Sequence, residues 1–187
     1  MSASSVPTPS GAARSSLQRL RALLLDEGGL IASIVGSASD RAAALGPAQL
    51  AASGPRAEGS REDYELLIET IYEGYLLHYA KPRVALTSDQ DLALLAGDRL
   101  YALGLARLVA LGDLAAVAEL ADTISLSALA QGAGEPELAD AVWTAGARAI
   151  GWGSSEAHRR AKKLVLAGSS KAIEAMRTSA ASLAAPR

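Results

Sequence analysis

The sequence predicts an all-α protein, a helical bundle preceded by a flexible N-terminal arm. The chain of 187 residues contains 41 Ala and 29 Leu, which are among the strongest helix formers. It contains no Phe, and only 4% of its residues are aromatic, whereas strands favour β-branched and aromatic side chains. Half of the residues are hydrophobic, and Ser, Asp, Pro and Gly recur where helices would begin and end.

Composition divides the chain into three regions. Residues 1–14, MSASSVPTPSGAAR, are rich in Ser, Pro, Ala and Gly, which predicts a disordered arm. Residues 15–59 are expected to hold N-terminal helices and a loop, and residues 60–187 are expected to form the main bundle. The length is typical of one domain with an arm.

Two helices are expected before the main bundle. The first covers about residues 16–35, and Gly28 and Gly29 interrupt it because glycine weakens a helix interior. A shorter helix begins at Asp40. The stretch SGPRAEG at 53–59 combines Gly, Pro and Ser, so we expect a loop there.

Capping residues divide the main bundle into six helices. Ser, Asp and Pro favour the first turn of a helix, and Gly favours the position after the last turn. Ser60 with Asp63, and Ser88 with Asp91, resemble capping boxes. The helices are expected to begin near Ser60, Ser88, Asp113, Pro136, Ser154 or Ser155, and Ser169 or Ser170. The first five are expected to end near Tyr79, Gly112, Gly132 to Gly134, Gly151 to Gly153, and Gly168.

The helix from Ser60 combines an apolar face with an acidic stripe. Glu65, Glu69 and Glu73 recur every four residues and therefore lie on one side of the helix. Two interpretations are open. Glu69 and Glu73 form a pair that can reach one cation, or they are exposed members of a solvated stripe.

The helix from Ser88 is apolar nearly all round, which predicts a position in the middle of the bundle. Asp98 lies within it, on the same side as Tyr101. A buried carboxylate needs a partner or a raised pKa. Asp98 and Tyr101 are therefore a candidate buried polar pair, and any further partner of Asp98 is expected on another helix.

Charge and composition exclude several classes of protein. The formal net charge is −2, which argues against a general nucleic-acid binder. The chain has no Cys and only two His, which argues against disulfide scaffolds, zinc sites of the Cys type and multi-histidine metal sites. The charge is uneven, with an acidic middle at 58–140 and a basic end at 141–187.

No segment of the sequence predicts a membrane span or a secretion signal. The longest apolar stretch, at 92–111, contains Asp98, Arg99 and Arg107. Each of these charges would cost about 2.5–3.5 kcal/mol in a bilayer. The apolar run at 23–25 is too short for a signal peptide. We therefore expect a cytoplasmic protein.

Two short motifs resemble a known family. Ala-Lys-Pro-Arg-Val at 80–84 is followed, eight residues on, by Ala-Leu-Leu-Ala-Gly-Asp at 93–98. Their order and spacing resemble those of the all-trans polyprenyl diphosphate synthases, whose members read approximately G-K-P-T-V and then A-V-L-A-G-D. The stretches around Asp113 and around Thr144 resemble later helices of that family, so that the resemblance covers about residues 64–166.

The resemblance implies an isoprenoid synthase fold, an all-α bundle around a deep apolar cavity. It also implies prenyl transfer, in which Mg²⁺ neutralises a diphosphate leaving group. On this basis Glu69 and Glu73 would hold the metal, and Lys81 and Arg83 would bind diphosphate.

The sequence departs from the family at its metal sites. The first D-D-x-x-D motif falls on Glu69-Thr70-Ile71-Tyr72-Glu73, and no Asp-Asp pair occurs anywhere in the chain. The family's early G-K-R-x-R-P signature is also missing. The resemblance therefore implies a shortened and degenerate member with an incomplete active site.

Three functions are consistent with these observations. The first is a non-catalytic accessory subunit, a homodimer or a heterodimer with a related helical subunit, or a binder of an apolar or prenyl diphosphate ligand. The second is an active, Mg²⁺-dependent prenyltransferase, alone or completed by a partner subunit. The third is a purely structural, oligomeric helical bundle.

Overall fold

The computed structural model describes residues 9–36 and 46–184 and confirms the all-α class. Within these ranges no strand occurs, and one isolated bridge joins Val35 to Ala85. The helices are α1 (Pro9–Glu27), α2 (Gly29–Ser33), α3 (Pro47–Ala52), α4 (Arg61–Tyr79), α5 (Gln90–Ala110), α6 (Leu114–Gly132), α7 (Pro136–Trp152), α8 (Glu156–Leu166) and α9 (Ala172–Ala184), with a 3-10 turn at Pro55–Ala57.

The expected capping residues account for most helix starts in the main bundle. Asp113 and Ser155 cap α6 and α8, each accepting a 3.0 Å hydrogen bond from the amide three residues on. Asp89, and not Ser88, caps α5 in the same way, because α5 begins two residues after Ser88. Ser60 precedes α4, but its side chain caps no amide, so the expected capping box is not formed.

The N-terminal region differs from the expectation at its start. α1 begins at Pro9, so residues 9–14, predicted as part of a disordered arm, belong to a helix. The interruption at Gly28 and Gly29 is confirmed, since both adopt positive φ angles, +69° and +56°, between α1 and α2. The helix predicted to begin at Asp40 lies outside the described residues.

Two clusters of buried side chains hold the helices together. The larger joins α3, α4, α6, α7, α8 and α9 and also includes Leu108 of α5, and the smaller joins α1 to α5 and to the C-terminal half of α4. Large, fully buried members of the first are Ile71, Leu120, Trp143, Ile150 and Met176, and members of the second are Leu20, Leu24, Leu77, Val84 and Leu100.

Glycines allow α4 and α5 to pack closely. A Cβ atom on Gly97 would lie 3.0 Å from the carbonyl oxygen of Gly74 and 2.4 Å from the His78 ring. A Cβ atom on Gly104 would lie 2.3 Å from Cγ1 of Ile71. The glycine of the Ala-Leu-Leu-Ala-Gly-Asp motif therefore has a packing role in this fold.

The prediction that α5 lies in the middle of the bundle is wrong. Its buried residues follow one side, the side of Gly97 and Gly104, which packs against α4. On the opposite side Leu95 is 64% exposed and Val109 is 52% exposed. We call this side the α5 outer face and define it by four exposed residues, Leu95, Ala102, Ala106 and Val109.

Among the described residues, α6 is the one helix that is long and apolar enough to cross a membrane, by length and composition only. The apolar stretch at 92–111 does not reach this length and hydropathy. Buried core helices of soluble proteins also meet it. α6 packs against α7, and its Glu119 pairs with Lys162 of α8. In the structure, 39% of the apolar window of α6 is buried.

Candidate functional site

Glu69 and Glu73 lie one turn apart on α4 and face the α4–α5 loop, residues 80–89. Their side chains are 1% and 0% exposed, so the interpretation as a solvated acidic stripe is wrong. Glu65, one turn earlier, pairs with Arg19 of α1. The stripe is buried because α1 and the α4–α5 loop cover this side of α4.

Glu73 anchors the α4–α5 loop. Its Oε1 atom accepts hydrogen bonds from the backbone amides of Arg83 at 2.7 Å, Val84 at 2.6 Å and Ala85 at 3.0 Å. Three amides directed at one carboxylate oxygen form a strong anchor because each bond is charge-assisted. The loop in turn pairs with the end of α2 through the bridge between Val35 and Ala85.

Arg83 binds both carboxylates. Its Nη1 lies 2.8 Å from Oε1 of Glu69, and its Nε donates to Oε2 of Glu73 at 3.3 Å. The guanidinium also lies over the Tyr72 ring, with Cζ 5.1 Å from the centroid. One cation therefore faces two buried anions, and this cluster of Glu69, Glu73, Arg83 and Tyr72 carries one excess negative charge when both acids are ionised.

The excess charge falls on Glu69. Burial raises the pKa of Glu69 from 4.5 to about 7, although the Arg83 guanidinium opposes this, and the charges of Glu73 and Glu65 raise the pKa further. Among the residues that the structure describes, Oε2 of Glu69 and Nη2 of Arg83 are buried and have no hydrogen-bond partner. Glu69 is therefore the less satisfied carboxylate, and Glu73 the better satisfied one.

Aromatic side chains fill the space beside this cluster. Tyr72 lies between Arg83 and Trp143, with the two ring centroids of Tyr72 and Trp143 4.9 Å apart in an edge-on contact. Tyr75 stacks on Tyr72 at 5.7 Å, and its hydroxyl accepts a 2.6 Å hydrogen bond from Gln131. Burial raises the pKa of Tyr72 to about 12, so this phenol stays neutral.

The two carboxylates as arranged do not fit a Mg²⁺ site. Mg²⁺ takes oxygen ligands and keeps several waters, whereas here a guanidinium and three amides occupy three of the four carboxylate oxygens. Within residues 9–36 and 46–184, no group of three or more His, Asp or Glu side chains could hold a metal ion. Metal binding by Glu69 and Glu73 stays a prediction from the resemblance.

The expected diphosphate pair is divided between two environments. Lys81 is exposed at the start of the α4–α5 loop, whereas Arg83 points inward to the two carboxylates. The guanidinium can bind diphosphate only if these contacts break. Diphosphate binding by Lys81 and Arg83 also stays a prediction.

Asp98 is not buried, contrary to the expectation for a candidate buried polar pair. Its side chain is 73% exposed, because the preceding residue, Gly97, is the one that faces α4. Its partner does lie on another helix, since Nε2 of His78 on α4 is 3.3 Å from Oδ1 of Asp98. Tyr101 is half-buried and stacks on His78, with ring centroids 5.3 Å apart.

A second buried polar cluster joins α6, α8 and α9, and the sequence did not predict it. His158 is 1% exposed, and its Nε2 lies 2.7 Å from Oε1 of Glu119. Lys162 also pairs with Glu119, at 3.0 Å, and Nδ1 of His158 lies 3.3 Å from the Ser179 hydroxyl. Ser179 is fully buried and donates a hydrogen bond to a backbone carbonyl. The contacts of this cluster hold α6, α8 and α9 together.

A signal for this second cluster was present in the sequence. His158, Ala161 and Val165 are spaced three and four residues apart, which places the histidine on the apolar side of α8. The basic run Arg159, Arg160 and Lys163 lies on the exposed side of α8.

Comparisons with models of known protein families, with curated proteins and with solved structures found no match.

Proposed function

We propose that this protein is a non-catalytic helical subunit that acts by associating with another polypeptide through the α5 outer face. The observation that carries this proposal is the exposure of large apolar side chains along one continuous part of the chain. Leu95 is 64% and Val109 is 52% exposed, and the following turn adds Leu111 at 39% and Leu114 at 71%. Large apolar side chains that are exposed along one stretch of chain favour an interaction site there.

The chemistry of the α5 outer face supports association. Between Leu100 and Ala106 the helix carries no charged residue, and both Ala102 and Ala106 are exposed. The core of an interface is depleted in charge and enriched in apolar contact. Leu30 of α2, 59% exposed, lines a groove with Leu95 and widens the apolar area.

The internal use of the acidic pair supports a non-catalytic role. Glu73 holds the α4–α5 loop, and Glu69 and Glu73 both bind Arg83, so three of the four groups that the resemblance would assign to metal and diphosphate bind one another. The fourth, Lys81, is exposed. An accessory subunit needs only an exposed surface that binds its partner, here the α5 outer face. A structural oligomer would associate through the same face.

Association is tested by the size of the assembly in an extract of cells that express the tagged chain. We expect the wild type to elute well above the mass of a monomer, and Leu95→Glu with Val109→Glu to shift it towards the monomer because buried charge is costly. Leu166→Glu is the matched control, since this leucine of α8 is 68% exposed and lies outside the face. A monomeric wild type, or an equal effect of the control, would contradict the proposal.

The absence of catalysis is tested separately. Purified protein is incubated with labelled isopentenyl diphosphate, an allylic diphosphate and Mg²⁺, and we expect no product above the protein-free blank. Product formation that is lost in Glu69→Gln would establish the prenyltransferase alternative instead.

A further inference from the structure

We propose that the groove between α7 and α9 binds a zwitterion, an extended peptide of about three residues whose amino and carboxyl ends are both free. The groove has a volume of about 480 Å³, which lies within the range of small-molecule sites. It is formed by α7 and α9 and is separate from the α5 outer face, so this inference goes beyond the proposed function.

The floor of the groove is the one strip of α7 that the bundle leaves uncovered. Between residues 138 and 151, all residues of α7 are buried except Asp140 and Thr144, which are exposed, and Arg148, which is half-buried. These three residues are spaced four apart and therefore follow one face of the helix. All three line the groove and all are polar, although the rest of α7 belongs to the apolar core.

The strip carries one anion and one cation, and within the described residues neither forms an ion pair. Burial, together with the negative charge of Glu137, raises the pKa of Asp140. An ammonium group beside Asp140 would therefore meet two carboxylates that lack a full complement of cations. Arg148 stacks on the Trp152 ring, with Cζ 4.8 Å from the centroid, which fixes the guanidinium and leaves its donors available to a carboxylate.

The separation of the two charges determines the length of the ligand. Asp140 and Arg148 are eight residues apart, which corresponds to about 12 Å along α7. Three residues of an extended chain span about 10 Å, so the two ends of a tripeptide can meet both groups at once. A single amino acid carries both charges on one carbon atom and reaches only one of the groups. A ligand of one charge sign would bring a like charge to Asp140 or to Arg148.

The walls of the groove suit a peptide with small side chains. Ala141 of α7 and both Ala180 and Ala181 of α9 line it with methyl groups, which leave room for a peptide backbone. Glu137 and Arg177 pair across the groove at 3.3 Å, but their side chains are 78% and 61% exposed. Exposed ion pairs contribute little stability, so this pair can open when a ligand enters. Trialanine is therefore the probe of choice.

Titration of the isotope-labelled chain with trialanine, followed by the chemical shifts of the backbone amides, tests the proposal. We expect saturable shifts on α7 and α9, at Thr144 and Ala181 among others. Trialanine that is acetylated at its amino end, or amidated at its carboxyl end, lacks one charge. Each blocked peptide should bind about tenfold more weakly, because one charge-assisted hydrogen bond is lost.

Substitutions connect each end of the peptide to one residue. In Asp140→Asn, the acetylated and the free peptide should bind equally, whereas the amidated peptide should still bind more weakly than the free one. In Arg148→Gln the amidated and the free peptide should bind equally, and Arg148→Lys should restore the difference because it keeps the charge. Glu174→Gln on α9 and Arg160→Gln on α8 are the matched controls, since both residues are exposed and lie outside the groove. Circular dichroism confirms that each variant is folded.

Four results would overturn the inference. They are the absence of saturable shifts up to the solubility limit of trialanine, shifts confined to another surface, blocked peptides that bind as tightly as the free one, and variants of Asp140 and Arg148 that behave like the controls. None of these results bears on association through the α5 outer face, which has its own test.

Discussion

Replacing Glu69 with Gln should stabilise the folded protein at neutral and alkaline pH. Glu69 is buried on α4, and Arg83 neutralises its charge incompletely because the same guanidinium also binds Glu73. Burial raises the pKa of Glu69 to about 7. Glutamine has nearly the same shape, keeps an oxygen for Arg83 and carries no charge to desolvate.

The magnitude follows from the linkage between protonation and folding. The pKa of Glu69 is higher in the folded state than in the unfolded state. The protonated side chain therefore contributes to the free energy of unfolding fully below about pH 4.5, and this contribution is lost as the pH rises through 7. Above pH 7 this loss is about 3 kcal/mol in the free energy of unfolding. The variant does not titrate at this site and should be more stable than the wild type by up to that amount at pH 8, with no difference near pH 4.5.

Urea denaturation of the wild type and of Glu69→Gln, measured at intervals from pH 4.5 to pH 8, gives this difference directly. Other carboxylates also titrate with shifted pKa values. Burial opposes the ionisation of Glu119, but a hydrogen bond from His158 helps to lower its pKa, and Tyr64 does the same for Asp113. These contributions are the same in the wild type and in Glu69→Gln, so they cancel in the difference. Glu62→Gln, at an exposed position of the same helix, is the matched control. A variant that is less stable than the wild type at pH 8 would show that the Arg83 ion pair outweighs the cost of burial, and would refute the reasoning.

Two further predictions concern the loop anchor and the helix contact. Glu73→Ala removes the acceptor of three loop amides and should lower the free energy of unfolding by about 3–5 kcal/mol in urea, whereas Glu62→Ala should change it little. Gly97→Ala places a methyl group 3.0 Å from a backbone oxygen of α4 and should destabilise by about 1–3 kcal/mol in the same assay. Gly132→Ala meets no atom within 4 Å and should not destabilise, so equal losses in the two alanine variants would contradict the packing argument.

Local features of the fold were predictable because they depend on neighbouring residues. Asp113 and Pro136 begin helices where the sequence placed them, and Ser155 is the one of two expected serines that caps α8, since a cap acts on amides within one turn. The break at Gly28 and Gly29 was predictable for the same reason. The start of α1 at Pro9 does not follow from composition, because Ser, Pro and Ala are typical of a disordered arm, whereas proline by position also favours the first turn of a helix.

The environment of the candidate site was not predictable. Sequence spacing placed Glu69 and Glu73 on one side of a helix but did not show that Arg83 returns to them across the α4–α5 loop. Asp98 was expected inside because its helix is apolar nearly all round. Burial depends on which side other helices cover, and glycines directed that side towards α4.

By itself the sequence determined the helical class, most helix boundaries and the chemical types available at each position, since these follow from propensity and capping within a few residues. Only the tertiary structure decided that two glutamates share one arginine, that His158 is buried against Glu119, and that α5 leaves an apolar face uncovered. Each of these results depends on contacts between residues distant in the chain, and the free energy of such contacts is set by the burial and charge of both partners.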